Sequence, residues 1–167
     1  MCYSQGNFEP DSQHGKILVV DDHAENFSII EGFLLVLGYK GLRENVINVN
    51  NGFHALKQIQ KAFEERDPAR FTLILIECKM SLIDGYETIK RIKHLFLGIG
   101  LPQRCWPKFV ATTCMTELKY QEKAKKSGFD QIMTKPLSIN KFGELCKDLK
   151  LIDSIPDIVE KLRLEEF

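Results

Sequence analysis

Five side chains able to handle a charged group follow directly after short apolar runs of this sequence. Asp21 and Asp22 follow the first run and Glu77 follows a later one, so these three supply carboxylates. Thr113 and Lys135 follow two further runs and supply a hydroxyl and an ammonium group. Carboxylate oxygens suit Mg²⁺, and a lysine offsets the charge of a phosphoryl group. If the fold brings these residues together, the chemistry they favour is phosphoryl transfer.

The apolar runs and the segments between them predict an α/β fold. Continuous apolar runs, typical of parallel strands buried on both faces, predict strands at residues 16–21, 45–50, 71–76, 108–112 and 131–134. Helical spacing of apolar residues predicts helices at residues 25–37, 55–66, 86–96, 117–127 and 139–149. Five strand–helix repeats predict a doubly wound, five-stranded parallel sheet of order 2-1-3-4-5. Ligands of such sheets bind beyond the carboxyl ends of the strands, so the five side chains are expected to share one pocket.

The length and composition predict one main domain with short appendages. The chain has 167 residues, of which 44% are hydrophobic and 28% charged, which is enough for a real core. We expect a polar extension at residues 1–14, the domain at 15–150 and a helical tail at 151–167. In the tail, residues 154–165 are expected to form a short amphipathic helix with Ile155, Ile158, Val159 and Leu162 on one side.

The net charge and the cysteine content indicate which partners and which cellular location to expect. Lys plus Arg and Asp plus Glu number 23 each, which argues against nucleic acid or a membrane surface as a direct partner. Five cysteines without a C-x-x-C pair are typical of reduced thiols in an intracellular protein. Residues 1–14 lack the apolar core of a signal peptide, and no apolar run reaches the roughly 18 residues of a membrane span. The expected location is the cytoplasm.

Several segments resemble the signatures of receiver domains of two-component phosphorelay systems, such as those of hybrid histidine kinases. In the family's order and at about its spacing stand KILVVDDHAEN, VNNGFHAL, LILIECKMSLIDGYE, VATTC and IMTKPL. The resemblance implies a flavodoxin-like receiver fold and a response regulator's role in signal transduction. It also implies a histidine kinase or a histidine phosphotransfer protein as partner, and no enzymatic activity beyond self-phosphorylation from a phosphohistidine.

The resemblance assigns roles to individual residues. Asp21 and Asp22 match the acidic pair that holds Mg²⁺, and Lys79 would supply a backbone carbonyl to the same ion. Thr113 matches the switch hydroxyl, and Lys135 matches the lysine that pairs with the phosphoryl group.

Three residues depart from the family's pattern. Glu77 stands at the position of the phosphorylated aspartate, also a metal ligand, and is one methylene longer. Ser81 stands where proline is usual, and Ile132 where an aromatic rotamer switch is often found. Glu77 is open to three interpretations: a degenerate acceptor, a constitutive substitute for phosphate, or an unusual acceptor still in use. As a substitute it is expected to pair with Lys135 and to accept a hydrogen bond from Thr113.

Other interpretations of the same residues lead to other functions. Asp21 and Asp22 could cap the first helix, but a cap does not account for Thr113 and Lys135. A haloacid-dehalogenase phosphatase needs a second carboxylate where His23 stands, and a flavodoxin needs a phosphate loop in place of the two acids. The P-loop motif is absent from the sequence. The remaining alternative is a pseudo-receiver, which acts as an interaction module without phosphorylation.

Overall fold

One parallel sheet forms the centre of the molecule, which a computed structural model describes over residues 15–67 and 70–164. The five strands in chain order are β1 (Lys16–Val20), β2 (Val46–Val49), β3 (Phe71–Glu77), β4 (Lys108–Thr113) and β5 (Gln131–Thr134). They lie in the order β2-β1-β3-β4-β5, and every neighbouring pair is parallel. The predicted doubly wound sheet is therefore confirmed.

Helices lie between the strands and cover the sheet. They are α1 (Ala24–Val36), α2 (Leu42–Asn45), α3 (Gly52–Glu64), α4 (Gly85–Gly98), α5 (Leu118–Ser127), α6 (Ile139–Asp148) and α7 (Asp157–Leu164). Two local features were not predicted. The four-residue helix α2 is too short to show a periodic pattern. The helix α3 begins before the expected Ala55 because Asn51 caps it, accepting from the amide of His54 at 2.9 Å.

The strands bury apolar side chains on both faces, as their continuous apolar runs predict. In β3, Ile74 and Ile76 pack into one core cluster, whereas Leu73 and Leu75 pack into the other. All four side chains are at most 2% exposed. Both faces of the sheet are therefore buried, and the residues that follow the strands lie at its carboxyl edge.

The C-terminal tail forms the short helix α7, which contacts α6. Val159 is fully buried in the second cluster, whereas Ile158 is 65% exposed. Ile158 directly precedes Val159, and a helix turns about 100° between neighbouring residues. The side chain of Leu162 and the predicted extension at residues 1–14 lie outside the described residues. Within the described ranges, no helix is both long and apolar enough to traverse a bilayer.

Candidate functional site

The carboxyl edge of the sheet carries a pocket of about 380 Å³, and strand register explains which residues meet there. Val20 at the end of β1 pairs with Ile76 in β3, so the following residues, Asp21 and Glu77, are neighbours. On the other side, the amide of Lys135 donates to the carbonyl of Thr113 at 2.8 Å, extending the pairing of β4 and β5. The sequence-predicted residues Asp21, Glu77, Thr113 and Lys135 thus come together at the ends of four different strands.

Lys135 joins two of the carboxylates. Its Nζ donates to Oδ2 of Asp21 at 2.8 Å and also to Oε2 of Glu77. The three side chains are nearly buried, at 12% exposure for Lys135, 3% for Asp21 and 8% for Glu77. Burial by itself lowers the pKa of Lys135, but its hydrogen bonds and its attraction to Asp21 and Glu77 outweigh burial and raise the pKa. The ion pair predicted between Glu77 and Lys135 is present.

Asp21 is held by α1 as well as by Lys135. The Asn26 side-chain amide lies 3.0 Å from each carboxylate oxygen of Asp21. The backbone amide of His23 donates to Oδ1 of Asp21 at 2.9 Å. Asn26 lies in the first turn of α1, so its side chain reaches back to the strand end. The sequence segment DDHAEN contains this residue, but the sequence analysis assigned it no role.

Asp22 has one oxygen that accepts a hydrogen bond and one that does not. Its Oδ2 accepts from the Ser81 amide at 3.1 Å, a bond that a proline at this position could not make. Its Oδ1 is buried and makes no well-aligned hydrogen bond, although Nδ1 of His23 lies 2.9 Å away. Asp21, Asp22 and His23 place one ligand atom each within 4.8 Å of one another. Two carboxylates with one unsatisfied oxygen fit a hard divalent cation such as Mg²⁺.

Glu77 has both of its oxygens engaged. Besides the contact of Oε2 with Lys135, Oε1 accepts from the backbone amide of Lys79 at 3.1 Å. The geometry therefore groups Glu77 with Lys135 and not with the Asp21–Asp22–His23 cluster. Among the described residues, no hydrogen bond joins Thr113 to Glu77, although one was expected. Oγ1 of Thr113 accepts from the Met115 amide at 3.1 Å, a local contact that hydroxyl side chains commonly make in turns, and the other side-chain partner of Thr113 is Cys78.

Two cysteines lie close to the pocket. Cys78 follows Glu77 and is buried, which is the main reason that its pKa is raised to about 11. Cys114 follows Thr113, is exposed and lines the pocket, a position that the sequence analysis missed. The signal was available, since Cys114 directly follows Thr113, which was itself predicted to lie in the pocket. Burial keeps Cys78 protonated, whereas Cys114 is accessible.

The loop between β3 and α4 contains a residue in a left-handed conformation. Leu82 has a φ of 70° and is 77% exposed, so the loop adopts a left-handed conformation without a glycine.

Ile132 lies in β5 and packs against the first core cluster. Trp106 lies just before β4, at the amino edge of the sheet, where Nε1 donates to the Leu101 carbonyl at 2.9 Å. Trp106 therefore lies at the edge of the sheet opposite the pocket and is not one of its lining residues.

Comparison with known proteins places this geometry in context. A family model described as "Response regulator receiver domain" matches residues 17–147. The transcriptional regulatory protein ZraR of Klebsiella oxytoca is 30% identical over 125 residues, which are 75% of this chain and 24% of that protein. The chain spans about a quarter or less of the length of the curated relatives it matches.

Two solved structures share the fold. One is the Saccharomyces cerevisiae histidine phosphotransfer signaling protein Ypd1 in complex with the receiver domain of its downstream response regulator Ssk1. That match has a TM-score of 0.66 at 19% identity and covers 86% of this chain and 94% of the other. The other is the receiver domain of the sensor histidine kinase PA1611 from Pseudomonas aeruginosa, with a magnesium ion in its active site cleft. It has a TM-score of 0.62 at 23% identity and covers 82% and 98% of the two chains.

Proposed function

The chain belongs to the response regulator receiver domain family, and on that premise we propose that it is a phosphorelay receiver with Glu77 at the acceptor position. The observation that carries the proposal is the Lys135 bridge. One buried ammonium contacts the carboxylates of both Asp21 and Glu77 at the ends of β1 and β3. Such an arrangement suits a pocket that receives negative charge at Glu77 and balances it with Lys135.

Mg²⁺ is the cofactor that we propose for this pocket. Asp21 and Asp22 would hold it with carboxylate oxygens, and Oδ1 of Asp22 is the one of these that lacks a well-aligned hydrogen bond. Glu77 and the backbone carbonyl of Lys79 remain further proposed ligands, and Glu77 would first have to release Lys135. When bound, the ion neutralises charge on the oxygens of a phosphoryl group.

The proposed role of Glu77 is that of a partial substitute for a phosphorylated aspartate. Its extra methylene carries the carboxylate one bond further into the pocket, where it contacts Lys135. In-line attack on phosphorus tolerates little misplacement, because a shift of about 1 Å can cost about a hundredfold in rate. The substitution is partial, since one negative charge stands for nearly two and Thr113 has Met115 and Cys78 as its partners. Of its two expected partners, Glu77 contacts Lys135 and not Thr113.

We propose that the partner is a histidine phosphotransfer protein or a histidine kinase. The support is the structural likeness to the Ssk1 receiver, which was solved together with Ypd1. The pocket opens at the carboxyl edge, between residues of α1 and the loop after β4. A phosphohistidine, or an unphosphorylated histidine of the same partner, would approach through that opening.

A second candidate function is a pseudo-receiver, an interaction module that never receives a phosphoryl group. The engagement of both Glu77 oxygens by Lys135 and the Lys79 amide favours it. In this case the pocket would be a structural ion cluster, and partner binding would not depend on phosphodonor or metal.

The experiment that separates the two functions is incubation with a small phosphodonor and Mg²⁺, followed by intact mass measurement and site mapping. It compares the wild-type chain with Glu77→Asp, which restores an aspartate at the acceptor position. Glu64→Asp is the matched control, because Glu64 is an exposed residue of α3 and undergoes the same side-chain shortening. We expect Glu77→Asp to gain one phosphoryl group at residue 77, and the wild type and control to gain none.

Two other results of the phosphodonor experiment would lead to different conclusions. A Glu77→Asp variant that is folded, binds Mg²⁺ and still gains no phosphoryl group would support the pseudo-receiver. A wild-type mass increase that maps to Glu77 would contradict the substitute role and make Glu77 a working acceptor.

A further inference from the structure

A second cavity lies at the amino edge of the sheet, on the side opposite the phosphorelay pocket. It encloses about 470 Å³ between the start of β4, the turn at Gln103–Cys105 and the side chain of Lys93 from α4. Volumes of this size are usual for sites that take small molecules. We propose that this amino-edge cavity binds a small organic anion, with a carboxylate or phosphoryl head on an apolar body. The proposal is independent of the function of the Glu77 pocket.

Lys93 is the proposed anchor for the anionic head. Its ammonium donates to the Gly128 carbonyl and lies 5.7 Å from the centre of the Trp106 ring and 5.1 Å from that of Phe109. No carboxylate within the described ranges forms a salt bridge with it. Burial lowers the pKa of Lys93, and attraction to Asp130 only partly offsets that effect. A half-buried ammonium whose only nearby carboxylate in the lining, Asp130, forms no salt bridge with it gains from an anion brought next to it.

The lining charges favour an anion over a cation. Lys93, Arg104 and Lys108 supply positive charge, whereas Asp130 is the one acidic residue among the lining residues described. Oδ2 of Asp130 already accepts from the Phe109 amide at 2.7 Å. A bound cation would therefore meet three like charges and one engaged carboxylate.

The body of the ligand is expected to be apolar. Trp106 is held in place by its hydrogen bond to Leu101 and by the ring of Phe96, whose centre lies 5.6 Å away. Pro107 and Leu149 add further apolar surface to the lining. A fixed indole next to an ammonium can bind a flat apolar group and its charged head together.

The test uses Trp106, the single tryptophan of the chain, as a reporter in the cavity. Fluorescence titrations without added Mg²⁺ compare phenylphosphonate with benzylamine, a probe of similar size and opposite charge. We expect phenylphosphonate to change the Trp106 emission saturably and benzylamine to leave it unchanged. Lys93→Met is expected to raise the phenylphosphonate midpoint at least tenfold, and Lys57→Met, on the exposed face of α3, to leave it unaltered.

A second variant controls for misfolding of Lys93→Met and for a direct effect of that substitution on the Trp106 emission. Arg104→Gln removes an exposed cation of the same lining and is expected to raise the midpoint several-fold. Thermal unfolding checks that each variant is folded. Equal responses to phenylphosphonate and benzylamine, or an unchanged midpoint in folded Lys93→Met and Arg104→Gln, would overturn the proposal and leave a solvated depression.

Discussion

Replacing Lys135 by methionine tests the bridge on which the proposed function depends. The change removes the ammonium and keeps most of the side-chain volume, so Asp21 and Glu77 remain buried without a counter-charge. At 2.8 Å between Lys135 Nζ and Asp21 Oδ2, the Coulomb attraction at an effective dielectric constant of 20 is about 6 kcal/mol. Desolvation offsets part of this attraction. Removing one partner of a buried pair typically costs about 3–5 kcal/mol.

We expect the lower end of that range, about 3 kcal/mol, because the Lys135 side chain keeps 12% exposure. Urea unfolding at neutral pH measures the free energy of unfolding, and Lys57→Met, an exposed lysine, should lie within about 0.5 kcal/mol of wild type. Glu77→Gln combined with Lys135→Met should cost less than the sum of the single variants, because the double variant leaves one fewer unpaired charge. Additive costs, or a Lys135→Met variant as stable as wild type, would refute the bridge.

The same bridge predicts a pH dependence. Because folding raises the pKa of Lys135, its contribution is fully present below the unfolded value, about 10.4. The contribution is lost as the pH rises through the raised folded value. The difference in unfolding free energy between wild type and Lys135→Met should therefore stay constant near neutral pH and shrink only in strong alkali. A difference that shrinks between pH 6 and about 9 would contradict this assignment.

Three further perturbations are expected to have definite results. Asn26→Asp places a second carboxylate next to Asp21, where the Asn26 amide now lies 3.0 Å from both Asp21 oxygens. Thermal unfolding should show a loss of about 2 kcal/mol in the free energy of unfolding. Millimolar Mg²⁺ should partly restore it. Iodoacetamide at pH 8, mapped by peptide mass, should modify exposed Cys114 and spare Cys78 and Cys146, because burial raises their pKa values to about 11 and about 12. Leu82→Gly should raise the free energy of unfolding, measured in urea, by up to about 1 kcal/mol. The reason is that glycine adopts the left-handed φ of 70° at this exposed position without strain. A loss of stability would show that Leu82 contributes contacts that outweigh its strain.

The sheet and the pocket were predictable because both follow from local patterns. Continuous apolar runs mark the strands, and parallel strands bring the residues after them to one edge, which is why Asp21 and Lys135 meet although 114 residues separate them. The helix α2 escaped prediction because four residues cannot show a period. The hydrogen-bond partners of the polar side chains were not predicted either. The Ser81 amide reaches Asp22 across 59 residues, and this contact depends on how the loop after β3 folds.

The hydrogen bond of Thr113 shows a different limit of sequence reasoning. The residue type and position were identified correctly, but the partners of its hydroxyl were not. The hydroxyl oxygen accepts from the Met115 amide two residues away, a local contact that requires no ordering of a second side chain. The other side-chain partner of the hydroxyl is Cys78, and which side chain lies next to it depends on packing that the sequence does not reveal.

The most direct test of the central claim is an NMR titration with Mg²⁺ and beryllofluoride, a phosphoryl mimic that binds at the acceptor carboxylate. If Glu77 already fills the space in front of Lys135, the wild-type amide signals of Thr113 and Lys135 should show no saturable change with beryllofluoride beyond that caused by Mg²⁺ alone. Glu77→Asp should show new signals for the same residues under the same conditions. Wild-type signals that shift as far and at the same concentrations as those of Glu77→Asp would contradict the claim that Glu77 stands in for the phosphoryl group.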